Sequence, residues 1–175
     1  MMQTNNRTAN LLGALALAMT DEFYSAIRKQ ARGGPSEAAA LVEIATWPDE
    51  TIDSLARTLR LSAAGTTRLV DRLVQEGLVR RDISDADRRA RTLSATEAGH
   101  TRAATILAAR SEVLDRALSP LESQDLNALE QLLEHMLAAL TSDRETCDHT
   151  CRLCDLRSCP LDICPVEQAA REKGR

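Results

Sequence analysis

Residues 51–76 contain two short amphipathic segments joined by a tight turn, and this pattern leaves few possible folds. Apolar residues recur with helical spacing in the first segment, at Ile52, Leu55, Ala56 and Leu59. Ser62 can cap a second helix, and Gly77 follows it as a typical helix-ending residue. The two segments therefore predict a pair of short helices packed across a turn.

The next stretch, residues 78–95, predicts a small β-hairpin. Its ends, 78–81 and 91–94, can form short strands around a charged loop. Aromatic residues make up only 2% of the chain, so its core must be built from Leu, Ala, Val and Ile, and the composition favours helices. We therefore predict a mainly α fold with a small β-hairpin wing, that is, a winged helix-turn-helix.

Charge is distributed unevenly along the chain. The formal net charge is −4, but residues 57–91 contain nine arginines and five acidic residues. A basic block inside an acidic protein is the expected footprint of a local DNA contact, and a helix fits the major groove. We predict DNA contacts from the second helix and from the loop, through Ser62, Ala64, Thr67, Arg68, Arg72, Arg88 and Arg89.

The sequence VDRLVQEGLVRR, residues 70–81, matches more than a general helix-turn-helix pattern. Further matching residues follow it, at Asp87, Arg89, Thr96 and Gly99. Together they closely resemble the MarR family of multiple-antibiotic-resistance-type repressors, whose hallmark is VDRLxxxGLVRR, a wing with an Asp-x-Arg core, and LTxxG. Ala95 stands where leucine is usual. The resemblance covers about residues 9–143 and adds Asp87 to the predicted DNA-binding residues.

The resemblance implies a DNA-binding transcriptional regulator, usually a repressor, that binds a pseudo-palindromic operator as a homodimer. In that family the terminal helices interlock two chains. Residues 9–31 and 100–141 carry more apolar surface than one small domain needs, although these leucines can alternatively fill a monomer core. The chain then divides into an N-terminal dimerisation helix, a winged-helix unit, C-terminal dimerisation helices and a cysteine tail, at residues 1–35, 36–99, 100–143 and 144–175.

Five cysteines are confined to the last part of the chain, at Cys147, Cys151, Cys154, Cys159 and Cys164. This polar segment is too short to bury five thiols, so we predict a metal or redox site. An iron–sulfur cluster is the first hypothesis, because clusters take cysteine thiolates and Cys-Pro is common around them. Structural zinc is the second, although only one C-x2-C pair is present. A metal-free thiol switch is the third.

The position of the cysteine tail suggests how it acts. It follows directly on the predicted C-terminal dimerisation helices, so ligation would bias the spacing between the two DNA-reading units. The simplest ligand set is Cys151, Cys154, Cys159 and Cys164, with Cys147 as an alternative or a resolving thiol. The resembled family often binds phenolic effectors, but Phe23, Tyr24 and Trp47 are the only aromatic residues here.

Other functional classes are less compatible with the sequence. It contains no nucleophile elbow, glycine-rich phosphate loop or H-E-x-x-H pattern, so we do not expect an enzyme. No apolar run approaches the roughly 20 residues of a membrane span, and residues 1–8 lack the layout of a signal peptide. We therefore expect a cytoplasmic protein without a membrane partner. A metal-binding or redox carrier is the alternative class, and it would leave the arginine-rich unit unexplained.

Overall fold

The computed structural model describes residues 6–30, 34–47, 49–83 and 91–174. Within these ranges the chain forms eight helices and two strands, and the predicted mainly α fold with a β-hairpin is confirmed. The elements are α1 (Asn6–Gln30), α2 (Pro35–Thr46), α3 (Ile52–Leu59), α4 (Ala63–Gln75), β1 (Val79–Ile83), β2 (Arg91–Ala95), α5 (Glu97–Leu118), α6 (Ser123–Leu140), α7 (Arg144–Cys151) and α8 (Pro165–Lys173).

The predicted pair of short helices is α3 and α4. The Thr51 hydroxyl caps α3 by accepting a hydrogen bond from the Ser54 amide at 3.1 Å. The Ser62 hydroxyl caps α4 by accepting one from the Gly65 amide at 3.1 Å. Between them Arg60 adopts a left-handed conformation with φ of 53°, which ends α3 and turns the chain toward α4. Local capping chemistry therefore sets the helix-turn-helix geometry.

The hairpin joins α4 to α5 through a tightly packed junction. Gly77, with φ of 70°, ends α4, and its carbonyl accepts a hydrogen bond from the Thr96 hydroxyl at 2.7 Å. The Thr96 amide donates to the Leu78 carbonyl at 3.0 Å. At Gly99, a Cβ atom would lie 2.0 Å from that carbonyl oxygen. The Thr and Gly of the motif therefore let α5 begin directly against the end of α4.

The two strands pair antiparallel, with Val79 opposite Ala95 and Ile83 opposite Arg91. β2 also contacts the segment before α3, because the Leu93 amide donates to the Glu50 carbonyl at 2.7 Å. The predicted strands are thus confirmed. The hairpin tip, 84–90, lies outside the described residues.

α2 occupies the centre of the fold. Its residues 38–44 are all buried, and it packs against α1, α3, α4, α5 and β2. The largest buried apolar side chains of the fold are aliphatic, namely Ile27, Leu41, Leu55, Val70, Leu93 and Ile106. This core agrees with the low aromatic content of the sequence, because small aliphatic side chains allow close helix packing.

α1 and α6 expose apolar side chains in the single chain. Leu15 on α1 is 54% exposed and Leu132 on α6 is 59% exposed, and α6 buries none of its residues. These leucines therefore do not fill the core of one chain, and the monomer-core alternative is wrong for them. In the described ranges, no helix is both long and apolar enough to cross a membrane.

The cysteine tail folds back onto the rest of the chain. The tail begins with a helix, because α7 starts at Arg144. The Asp143 carboxylate caps this helix by accepting from the Thr146 amide at 2.7 Å. The segment that follows Cys164 forms α8. α7 packs against α3, and α8 packs against α6 and α7, so the tail contacts the winged-helix unit directly.

Replacement of Gly99 by alanine tests the junction between the hairpin and α5. The added methyl group would clash with the Leu78 carbonyl, and we expect a loss of about 1–3 kcal/mol of folding free energy. The control is Gly13→Ala on exposed α1, where nothing lies within 4 Å of the new Cβ and alanine favours the helix. Urea unfolding followed by circular dichroism measures both. If the Gly99→Ala variant is as stable as the Gly13→Ala control, the explanation by a close approach at Gly99 is wrong.

Candidate nucleic-acid interface and thiol cavity

One face of α4 presents side chains that were predicted to contact DNA. Ser62, Ala64 and Arg68 are all exposed at the N-terminal half of this helix. Ser62 is also the helix cap, so its position is fixed by the backbone. Small residues at this end allow close approach to a double helix, and Arg68 supplies a cation. The structure thus brings these three predicted residues together on one surface.

Two other predicted residues of α4 have intramolecular partners. The Thr67 hydroxyl donates to the Ala63 carbonyl at 2.9 Å, and the Thr67 side chain is half-buried. Arg72 is exposed, and its Nε lies 2.5 Å from Oε1 of Glu37 on α2. Arg72 therefore ties α4 to α2, and contact with a phosphate would compete with this ion pair.

The wing residues of the prediction, Asp87, Arg88 and Arg89, lie outside the described residues, so their role stays a prediction. In the described part of the hairpin, the Arg81 guanidinium pairs with Asp71 of α4 at 2.6 Å. This ion pair connects β1 to α4 beside the exposed face.

All five cysteines line one cavity of about 350 Å³ between the cysteine tail and the winged-helix unit. We call it the thiol cavity. Its other walls come from α2, α3 and the tail, and include Val42, Glu43, Thr46, Ser54, Thr58 and Leu156. All five cysteines are free thiols. The five cysteines are spread over 18 positions of the sequence, from Cys147 to Cys164. They nevertheless line one cavity together with residues of α2 and α3.

The thiols of Cys151 and Cys154 interact with each other. Their hydrogen bond raises the pKa of Cys151 above its usual range and lowers the pKa of Cys154. Positive charge on Arg110 and Arg152 also favours the Cys154 thiolate. Burial raises the pKa of Cys159 to about 11. Cys154 is therefore the thiol of this group that ionises most readily, with Cys151 as its hydrogen-bond donor.

Cys147 has a different environment from these cysteines. Its thiol accepts from Arg144 at 3.1 Å and donates to Glu167 at 3.7 Å, and burial raises its pKa to about 11. Glu167 also pairs with Arg144 at 2.5 Å and with Arg171 at 2.7 Å. This network joins α7 to α8 around the buried Glu167 carboxylate and the buried Cys147 thiol.

Glu43 is a cavity residue that the sequence analysis missed. Its side chain lies within the buried face of α2, and the residue is only 8% exposed. Burial raises its pKa to about 8, and nearby Glu50, Asp148 and Cys154 add to this shift. The available signal was a single charge inside the otherwise apolar run from Ala38 to Ala45.

His149 connects the cysteine tail to the turn of the helix-turn-helix. Its Nδ1 lies 2.8 Å from the carbonyl oxygen of Thr58, near the end of α3. Desolvation lowers the pKa of this half-buried imidazole. A second cavity, of about 290 Å³, lies beside this contact, where Phe23 and Tyr24 form part of the wall.

The thiol cavity does not present a preformed metal site. In the described part of the chain, no three His, Cys, Asp or Glu side chains lie close enough together to hold a metal ion. Tetrahedral zinc needs four ligands, with sulfur at about 2.3 Å from the metal. The thiols therefore share a cavity without converging on a point, and metal binding would require them to move together.

Comparisons with known proteins agree with this architecture. Residues 35–90 match the model of the MarR family. A MarR family protein from Bacillus stearothermophilus is similar with a TM-score of 0.67 and 22% identity, over 77% of this chain and 96% of that chain. A probable transcriptional regulator from Pseudomonas aeruginosa has a TM-score of 0.54 and 26% identity, over 71% of this chain and 95% of that chain. CouR from Rhodococcus jostii RHA1, bound to p-coumaroyl-CoA, has a TM-score of 0.59 and 20% identity, over 78% of this chain and 95% of that chain. Comparison with curated proteins gives no match.

The fold and the exposed face of α4 thus define a winged helix-turn-helix protein. The match to the MarR family model is confined to residues 35–90, which contain α2, α3, α4 and β1. The matched residues end before the cysteine tail.

Replacement of Glu167 by glutamine tests the network that holds the tail together. The change removes the anion between Arg144 and Arg171, and hydrogen bonds to charged groups contribute about 1.5–3 kcal/mol. We expect faster trypsin cleavage after exposed Arg157 in the metal-free protein. The matched control is Glu172→Gln, which alters an exposed position on the same helix. Identical cleavage rates would show that the network does not hold α7 against α8.

Proposed function

We propose that this protein is a DNA-binding transcriptional regulator, and specifically a repressor, that acts in the cytoplasm as a homodimer on a pseudo-palindromic operator. The observation that carries this proposal is the exposed face of α4 on a MarR-family domain, with small residues followed by Arg68. An α-helix in the major groove reads base edges, whereas arginine contacts with phosphates position the protein.

Arg68 is the central residue of the proposed DNA contact. It is exposed, and within the described residues it forms no ion pair, whereas Arg72 and Arg81 on or beside α4 are paired with acidic groups. A cation without an acidic partner contacts DNA without first breaking an intramolecular pair. The wing arginines Arg88 and Arg89 would extend the contact into the neighbouring minor groove.

The exposed leucines of α1 and α6 support the homodimer. They form apolar surface on the two helices that the sequence assigns to dimerisation, and such surface on a monomer usually marks an interface. A two-fold dimer would place two α4 helices about one DNA turn apart, roughly 34 Å. The pseudo-palindromic operator follows from this symmetry.

Substitution of Arg68 by alanine tests the DNA contact. We expect it to weaken binding to a palindromic promoter fragment by about 1–3 kcal/mol, which is roughly 5- to 150-fold, and to reduce the dependence of binding on salt. Fluorescence anisotropy at several salt concentrations measures both effects. Arg157→Ala removes the same charge from an exposed position of the cysteine tail and serves as the control. Salt-independent binding by the wild type, or an R68A variant that binds as the wild type does, would contradict the proposal.

The second part of the proposal concerns regulation. A cysteine-ligated metal centre in the tail tunes DNA affinity, with an iron–sulfur cluster as the first candidate, zinc as the alternative and a metal-free thiol switch as the third. The support is that five free thiols share one cavity whose other wall belongs to the winged-helix unit. An iron–sulfur cluster would supply redox sensitivity, and zinc would supply a stable cross-link.

The metal content of protein purified without oxygen tests the regulatory proposal. We expect broad absorbance near the roughly 400 nm region, with iron and acid-labile sulfide, for a cluster, or a colourless protein with about one zinc per chain. A double Cys154→Ser and Cys159→Ser variant should lose the metal but keep DNA binding. Removal of residues 147–175 should likewise abolish the response and leave DNA binding intact. Regulation by the tail would be contradicted if the wild type contains no metal and its affinity for DNA does not change when the thiols are oxidised.

A metal-binding or redox carrier remains the alternative class, because of the five cysteines. Such a protein would lack salt-dependent binding to a palindromic fragment. The anisotropy experiment therefore separates the two classes.

A further inference from the structure

The walls of the thiol cavity come from two parts of the chain. The cysteine tail contributes all five thiols, and the winged-helix unit contributes polar groups from α2 and α3 and the segment between them, among them Glu43, Thr46, Glu50, Ser54 and Thr58. An occupant of the cavity therefore contacts the tail and the winged-helix unit at the same time.

The charged groups around the cavity are unbalanced. Four acidic side chains line it, with Arg144 as the basic one. Arg144 already pairs with Glu167 at 2.5 Å and lies 3.7 Å from Asp148. Glu43 and Glu50 form no ion pair with any residue in the described ranges. The Glu50 carboxylate does accept a hydrogen bond from the Thr51 amide at 3.0 Å.

Glu43 is the most unusual of these acidic residues. It lies between Val42 and Ile44 on the buried face of α2, and it lines the cavity. Trp47 provides a hydrogen bond to its carboxylate but no positive charge. A buried carboxylate without a cation is costly, because its lost hydration is not replaced.

Glu43 lines the cavity from α2, and Cys154 lines it from the cysteine tail. Glu50 and Asp148 are further acidic groups of the same lining. A cation in the cavity would therefore stabilise groups on both walls. Such a cation must accept both sulfur and oxygen ligands, as zinc and iron do.

We propose that the metal centre of the thiol cavity is bound from both walls, with the Glu43 carboxylate of α2 as a ligand in addition to cysteine thiolates of the tail. The ligand class is a zinc or iron cation, alone or within an iron–sulfur centre. This inference rests on the metal-binding part of the proposed function. It makes the metal site a part of the winged-helix unit, so occupancy acts on α2 within one chain.

The affinity of the metal for a Glu43→Gln variant tests this inference. Full-length protein is prepared metal-free without oxygen, then titrated with zinc alone, or with ferrous iron and sulfide, in competition with a chelator. We expect E43Q to bind metal about 10- to 100-fold more weakly than the wild type, the loss typical for removal of a supporting carboxylate at a metal site. Glu130→Gln, which removes an exposed carboxylate from α6, should bind as the wild type does.

The outcomes separate this inference from the rest of the proposed function. Circular dichroism of the metal-free variants checks the fold. If E43Q does not fold, Glu43→Leu replaces it, because leucine is also neutral and suits the buried face of α2. Equal metal affinity of the wild type and the neutral variant overturns the role of Glu43 and leaves the tail site standing. A wild type that binds neither zinc nor iron overturns the tail site together with this inference, while DNA binding by α4 is unaffected.

Discussion

The burial of α2 is the constraint on which the rest of the structure depends. Its residues 38–44 are inaccessible because α1, α3, α4, α5 and β2 all pack around it. Small alanines and branched aliphatic side chains allow this close packing, and each neighbouring helix buries its own apolar stripe against it. A change in the position of α2 would therefore shift both the helix-turn-helix pair and the hairpin.

The same helix connects the two candidate sites. Near its start, Glu37 pairs with Arg72 of α4 at 2.5 Å, and nearly two turns later Glu43 faces the thiol cavity. His149 adds a second connection, because it lies 2.8 Å from the Thr58 carbonyl near the end of α3. The sequence had suggested that the tail acts through the adjacent dimerisation helix. These contacts connect the cavity to α4 more directly, through α2 and α3 of the same chain.

Much of the fold could be predicted from local signals. Ser62 and Gly77 mark helix ends by a hydrogen bond and a backbone conformation of their own, as the sequence predicted. α7 was missed because cysteine, histidine, aspartate and threonine are weak helix formers, whereas Asp143 supplies a cap and tertiary packing stabilises the helix. Gly65 of α4 is not a close helix crossing, because a Cβ atom there would meet only the Ser62 hydroxyl, at 3.2 Å. The close approach occurs at Gly99 instead.

The sequence by itself determined the helix-turn-helix, the hairpin, the face of α4 with Arg68, and the concentration of cysteines in the tail, because periodicity, caps and motif spacing are properties of neighbouring residues. Only the tertiary structure decided that the tail folds against α2 and α3, that Glu43 lies across a cavity from the cysteines, and that Cys147 belongs to a network with Arg144 and Glu167. Those contacts join residues far apart in the chain, and their energies come from burial and charge compensation, which depend on the packing of whole helices.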